Sequence, residues 1–211
     1  MIITKSAHIT KNLIRCNSRE VFSQENDNGF TEFIKSAFKQ ICPAYPKFYK
    51  MDSLSKLAFV ASEVLLKDTN LLSNYAKEDI GLLFLNNAST INTDNDHQKS
   101  ISDRQNYFPS PSVFVYTLPN IMLGEICIKN QFFGENAVFI TSEFDAEMLV
   151  SQVTILAEKK RIEACICGWA DIEDDNYEAF LLLTENKTML AGSEEICKFA
   201  ALEINKLYNN K

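Results

Sequence analysis

Between Gly134 and Asp171 the chain reads GENAVFITSEFDAEMLVSQVTILAEKKRIEACICGWAD, and this stretch leaves the remainder little freedom. Ala137-Val138-Phe139-Ile140 is apolar, too short for a helix and long enough for a strand covered on both faces. The period then changes. Ser142-Glu143-Phe144-Asp145 has the form of a helix start, a hydroxyl cap followed by carboxylates where free N–H groups and the helix dipole favour negative charge. From Ala146 to Ala157 apolar residues cover most of the helical circumference, which predicts a helix buried between layers. Glu158-Lys159-Lys160-Arg161 makes a basic turn, and Ile162–Gly168 returns as a second apolar strand. Strand, helix and strand with short links predict a right-handed βαβ unit. In such units the turn after the first strand aims helix N–H groups at one point, and there the sequence places Glu143.

The 211 residues suffice for one domain with a sizeable core, spanning 1–211, rather than two. A formal charge of −7, with no Lys/Arg run beyond Lys159-Lys160-Arg161, argues against nucleic acid and acidic membranes as partners. No apolar stretch approaches the ~20 residues of a transmembrane helix. The N-terminus has neither a long apolar region nor a small-residue cleavage site, so a cytoplasmic location is expected. The six cysteines are scattered, and Cys165 and Cys167, the only close pair, lack zinc-site spacing. They read as free thiols in a reducing compartment; no metal and no cofactor are expected.

Upstream, Ile2–Ile9 forms a first strand in which His8 is structural or exposed, and residues 17–29 read as polar loop. Phe30–Ile41 is helical, with Phe30, Phe33, Ile34, Ala37, Phe38 and Ile41 on one face, and Cys42-Pro43 stops it. Asp52 or Ser53 caps a helix whose Leu54, Leu57, Ala58, Ala61 and Leu65 face the core. Ile80–Leu85 is a buried strand, and Asn86–Asn106 reads as a long polar loop carrying a solvated His97. Thr117 is expected to cap a helix entered through Leu118-Pro119, in which Gly124 suggests close packing against another backbone. After the acidic turn Glu173-Asp174-Asp175, the strand Glu178–Thr184 follows so closely that it must run antiparallel to its predecessor. Ser193 is expected to cap a terminal helix with Ile196, Cys197, Ala200, Ala201, Ile204 and Leu207 facing inward.

From about Lys50 to Glu185 the chain resembles the N-terminal half of thiolase-fold condensing enzymes, the β-ketoacyl synthases, and especially short proteins grouped with chain-length factors. Phe114, Asn120 and Gly124 match a Phe-rich segment leading to a helix with Asn and then Gly; Gly134 matches the glycine that opens the next strand. The family ends that strand in Thr-Ala-Cys, where this chain has Thr141-Ser142-Glu143, and closes the following strand with Gly-Gly-Ala-Glu, where Gly168-Trp169-Ala170-Asp171 stands. The resemblance implies an α/β fold, half of a thiolase-like fold: a mixed five-stranded sheet with helices on both faces and an antiparallel last strand. It also implies two departures. Glu143 takes the nucleophile's place and cannot form the thioester that a cysteine forms. The family's catalytic histidines and lysine lie in a second half that this chain is expected to lack, since His8 and His97 both precede the nucleophile position.

No catalytic residue is therefore expected. The leading expectation is a non-catalytic, chain-length-factor-like subunit that pairs with an intact ketosynthase in fatty acid or polyketide-type biosynthesis, such as that of aryl polyene-like pigments. The resemblance implies a partner interface along Asn136, Ala137, Val138, Phe139, Ile140 and Thr141, an apolar edge apt for strand pairing. It also makes Phe114, Tyr116 and Phe144 candidates for lining an acyl tunnel, beside their ordinary role as core aromatics. The chain's acidity suggests that acyl carrier proteins, themselves acidic, are met only indirectly through the ketosynthase. Two alternatives stay open: a malonyl decarboxylase-like activity using Glu143, and a scaffold that pairs with itself through the same edge.

Overall fold

Strand Ile80–Asn86 sends Leu82 and Phe84 to one apolar layer and Leu83 and Leu85 to another, the period-two signature of a strand buried on both faces. The computed structural model that shows this describes residues 1–105, 107–186 and 197–210. In chain order the elements are β1 (Ile2–Thr10), β2 (Leu13–Cys16), β3 (Arg19–Ser23), α1 (Gly29–Ile41), α2 (Ser53–Leu66), α3 (Leu71–Asn74), β4 (Ile80–Asn86), α4 (Ile91–Ser102), α5 (Pro111–Val115) and α6 (Ile121–Asn130). There follow β5 (Asn136–Ile140), α7 (Ala146–Glu158), β6 (Ala164–Glu173), β7 (Asn176–Glu185), β8 (Cys197–Lys198) and α8 (Ala201–Asn209).

The strands form one sheet in the order β3-β2-β1-β7-β6-β4-β5, with β8 also beside β1. Both β5 and β6 run parallel to β4, while β7 is antiparallel to β6 and to β1. The mixed α/β class and the antiparallel last long strand agree with expectation, but among the described residues the sheet has eight strands rather than five. Two of the extra strands are a hairpin whose turn and second strand fall in what reads as polar loop, its first strand lying just before it: Asn17 and Ser18, at φ 50° and 61°, make the two-residue turn that joins β2 to β3. The third, β8, is two residues long.

The helix buried all round is α2, which packs Leu57, Phe59, Ala61 and Leu65 against α1, α6 and one sheet face. The other face carries α7 and α8. Contrary to expectation, α7 buries only Ala146, Leu149 and Val153 and leaves Ile155 40% exposed, because among the described residues no second sheet covers its outer side. Two further expectations change. The supposed loop after β4 contains the polar helix α4, tied down where Thr93 Oγ1 donates to Asp52 Oδ2 at 3.1 Å. Thr117 does not cap the helix holding Gly124: α6 starts after Asn120, and a Cβ on Gly124 would meet nothing within 4 Å. Ser193 and Ile196 lie outside the described residues; Ile204 of α8 is buried as expected, whereas Cys197 lies in β8 and Ala200 just before α8.

Asp52 caps α2, its Oδ1 accepting from Ser55 N at 3.0 Å. Burial pushes this carboxyl above its ordinary value despite the opposing bonds from Ser55 and Thr93. A carboxyl with a raised folded pKa binds its proton more readily in the native state, so stability falls as pH rises from the ordinary aspartate value of ~3.9 through the folded one. Asp52→Asn, which keeps the cap acceptor, is expected to flatten that fall, and Asp52→Ala to lose about 1 kcal/mol of cap. Urea unfolding across this pH range checks both.

Candidate site at the strand ends

The parallel strands β4 and β5 end side by side, and the chain past each is fixed by polar contacts to β6 or β4. Asn86 is fully buried and its Nδ2 donates to Ala170 O and Asp171 Oδ1, each at 2.8 Å. The same carboxylate oxygen accepts from Asn87 N at 3.0 Å and Ala88 N at 2.8 Å, so Asp171 pins the turn that leaves β4. Thr141 N donates to Asn86 O at 2.8 Å, and Thr141 Oγ1 to Glu143 O at 2.8 Å, which fixes the turn that leaves β5. Since a hydrogen bond to a charged group is worth roughly 1.5–3 kcal/mol and Asp171 accepts two part-buried bonds and one exposed one, Asp171→Ala is expected to cost about 3 kcal/mol. Asp171→Asn, which retains an oxygen acceptor, is expected to cost about half of that; urea midpoints compare the two.

Glu143 stands at this strand-to-helix junction, three residues before α7, and is exposed. It does not cap the helix. That role belongs to Asp145, whose Oδ1 accepts from Met148 N at 2.9 Å, and not to Ser142 as expected. A longer non-helical turn displaces the cap from the hydroxyl to the next suitable acceptor. The junction borders an open cavity of about 280 Å³ shared by Thr141, Phe144, Asp145, Glu147 and Asn205 of α8. Among the described residues no cation pairs with Glu143, and no three His, Cys, Asp or Glu side chains converge as a metal site. An exposed carboxylate without a base or acid partner can attract a cation or hydrogen-bond a passing donor, but cannot replace a thiolate in acyl transfer.

Beneath the junction lies a polar-aromatic cluster that sequence reading missed. Phe144 packs on Tyr208 at 4.5 Å and on Phe180 at 5.6 Å between ring centroids. Tyr208 OH donates to Glu178 Oε2 at 2.6 Å, and Glu178 Oε1 lies 2.9 Å from Nε2 of His8, which is buried. Burial and the adjacent Glu178 carboxylate push the Tyr208 phenol up, so it donates throughout the physiological range. No local signal joins residues on β1, β7 and α8; only the β1–β7 register, with His8 opposite Phe180, brings them together.

The remaining candidates are spread out. Tyr116 OH donates to Glu125 Oε1 at 2.8 Å, and its ring borders a cavity of about 280 Å³ beside Asp52 and Thr93. Phe114 is 57% exposed against His97, and Phe144 belongs to the opposite sheet face, so the three aromatics share no cavity. Among the described residues β5 pairs with β4 alone, which leaves its other edge open as expected. Ala137, Val138 and Phe139 are half-buried, and Asn136 and Ile140 are exposed, Ile140 by 55%, so the strand is less covered on its faces than its apolar run suggests. No helix of the described residues is long and apolar enough to cross a membrane.

Neither a protein-family model nor a curated protein matches the sequence. Solved structures do match. The fold is that of thiolase-like ketosynthases and chain length factors. The ishigamide ketosynthase/chain length factor aligns with a TM-score of 0.63 at 14% identity, over 92% of this chain and 64% of that one. A type II polyketide synthase ketosynthase in complex with its acyl-carrier protein, AntDE:AntF, gives 0.61 at 14% identity, over 89% and 62%. The ketosynthase ApeO in complex with its chain length factor ApeC from Xenorhabdus doucetiae gives 0.55 at 14% identity, over 88% and 79%. The chain thus spans somewhat less than two thirds of the first two.

Proposed function

We propose that this protein is a non-catalytic, chain-length-factor-like subunit that pairs with an intact ketosynthase in polyketide or fatty acid-type biosynthesis. The observation that carries the reading is Glu143, an exposed carboxylate at the strand-to-helix junction that the family gives its nucleophile, beside the open edge of β5. The edge offers backbone N–H and C=O groups for strand addition from Asn136 to Thr141, and the exposed apolar side chains of β5 and α7 supply area that water disfavours. Phe144 packs on Phe180 and Tyr208 in the same apolar layer as Phe139, which supports a role behind that surface, whereas Tyr116 belongs to the opposite layer and Phe114 packs on His97. The product is an acyl chain whose length the pair sets, an aryl polyene-like pigment being the case the resemblance favours, and carrier protein docks on the ketosynthase. The test is co-expression with a ketosynthase of the same cell: a stable pair and a shifted product length on deletion are expected, and neither effect would refute the proposal.

In this reading Glu143 performs no chemistry. Glu143→Ala is expected to leave malonyl-carrier decarboxylation by the pair unchanged within about twofold; a loss of about a hundredfold would instead favour a decarboxylase.

A further inference from the structure

A cavity of about 590 Å³ lies away from the Glu143 junction, and its size is that of a small-molecule site. It exists because the outer edge of β1 changes partner: β8 pairs Ile2 and Ile3, β2 begins to pair at Ala7, and the β1–β7 register slips between Ile3 and Lys5. The gap is held open by Asn17 of the hairpin turn, whose Oδ1 accepts from Ser6 N and whose N–H donates to Ser6 O, both at 2.8 Å. Ile41 at the end of α1, Val64 near the end of α2 and Val21 of β3 supply apolar wall, and Leu207 adds to it from α8.

Lys5, Arg19 and Lys67 stand around this wall, with Asp68 the only carboxylate among the described lining residues. None of the three cations forms an ion pair among the described residues, in a chain whose net charge is −7. The Lys5 ammonium donates to the Lys67 carbonyl, and the C-terminal ends of α1 and α2 contribute partial negative charge. The residual balance is therefore about one positive charge, enough for a monoanion and unfavourable to a cation. Among the described residues no aromatic ring lines the cavity, which disfavours a nucleobase or a flat ring. We propose that this cavity binds an aliphatic monoanion, a medium-chain carboxylate, with its tail against Val21, Ile41, Val64 and Leu207 and its head toward Arg19 and Lys67.

Cys16 lines the cavity as a free thiol and reports occupancy. The full chain is titrated calorimetrically with decanoate, decyl phosphate, decyltrimethylammonium and acetate, and N-ethylmaleimide labelling of Cys16 is followed by peptide mass spectrometry. Decanoate is expected to bind one to one and slow labelling of Cys16 but not of Cys127; the ammonium and acetate are expected to do neither. Arg19→Glu and Lys67→Glu, both at exposed positions, are expected to weaken decanoate about tenfold each with the urea midpoint unchanged. Binding of decyl phosphate alone would overturn the carboxylate assignment. Equal binding of the ammonium analogue, undiminished binding by the charge-reversed variants, or no binding by any probe would overturn the site. The inference is independent of the pairing proposal.

Discussion

Gly168→Ala is expected to destabilise the fold severely. Gly168 lies within β6 opposite Leu181 of β7, at φ 151°, a conformation that residues with a Cβ rarely adopt. An added Cβ would sit 2.0 Å from Phe180 O and 3.0 Å from Leu181 Cα, both backbone atoms in the middle of a sheet that cannot give way. Backbone strain and overpacking each cost of order 1–3 kcal/mol, so a loss of roughly 3 kcal/mol or more is expected, much of a domain's stability. Gly124→Ala is the control. With nothing within 4 Å, it is expected to gain about 1 kcal/mol from helix propensity alone. Urea unfolding of the two variants decides; equal midpoints would mean that the β6–β7 register is wrong.

Ile140→Lys is expected to break association without disturbing the fold. The side chain is 55% exposed at the end of the open edge strand, so a charge there costs the isolated chain almost nothing. Buried in an interface, the same ammonium would lack a partner and would oppose strand addition, as edge lysines do in natural sheets. A loss of affinity for the ketosynthase of about a hundredfold, with an unchanged urea midpoint, is expected by sedimentation. Unchanged affinity would place the contact elsewhere. Ile140→Lys would equally dissolve a self-pair, so sedimentation of the isolated wild type distinguishes the scaffold alternative.

The strand, helix and strand of the central stretch were legible because their periods differ and their links are short, and Asp52 because a cap leaves a local signature. The hairpin was not, since Asn17-Ser18 lacks the glycine that usually announces such a turn, and β2 and β3 show little burial contrast. Helix α4, INTDNDHQKSIS, carries almost no apolar stripe and is fixed instead by Thr93 on Asp52 and by Thr90 Oγ1 on Thr117 O at 3.0 Å. The apolarity of α7 was plain, but it reads the same whether its own chain or another covers the helix. Glu143 could be placed at the junction from the strand end alone; that Asp145 takes the cap depends on the length of the turn. The His8–Glu178–Tyr208 contacts depend on tertiary register and leave no trace in any window of sequence.

The most direct measurement is hydrogen exchange of the β5 amides, residues 136–141, in the isolated protein and after mixing with a ketosynthase of the same cell. Slow exchange appearing at those β5 amides that do not already donate to β4, with β4 protected throughout, is the predicted result. A complex that forms while residues 136–141 exchange as fast as before, or the absence of any complex, would contradict the account.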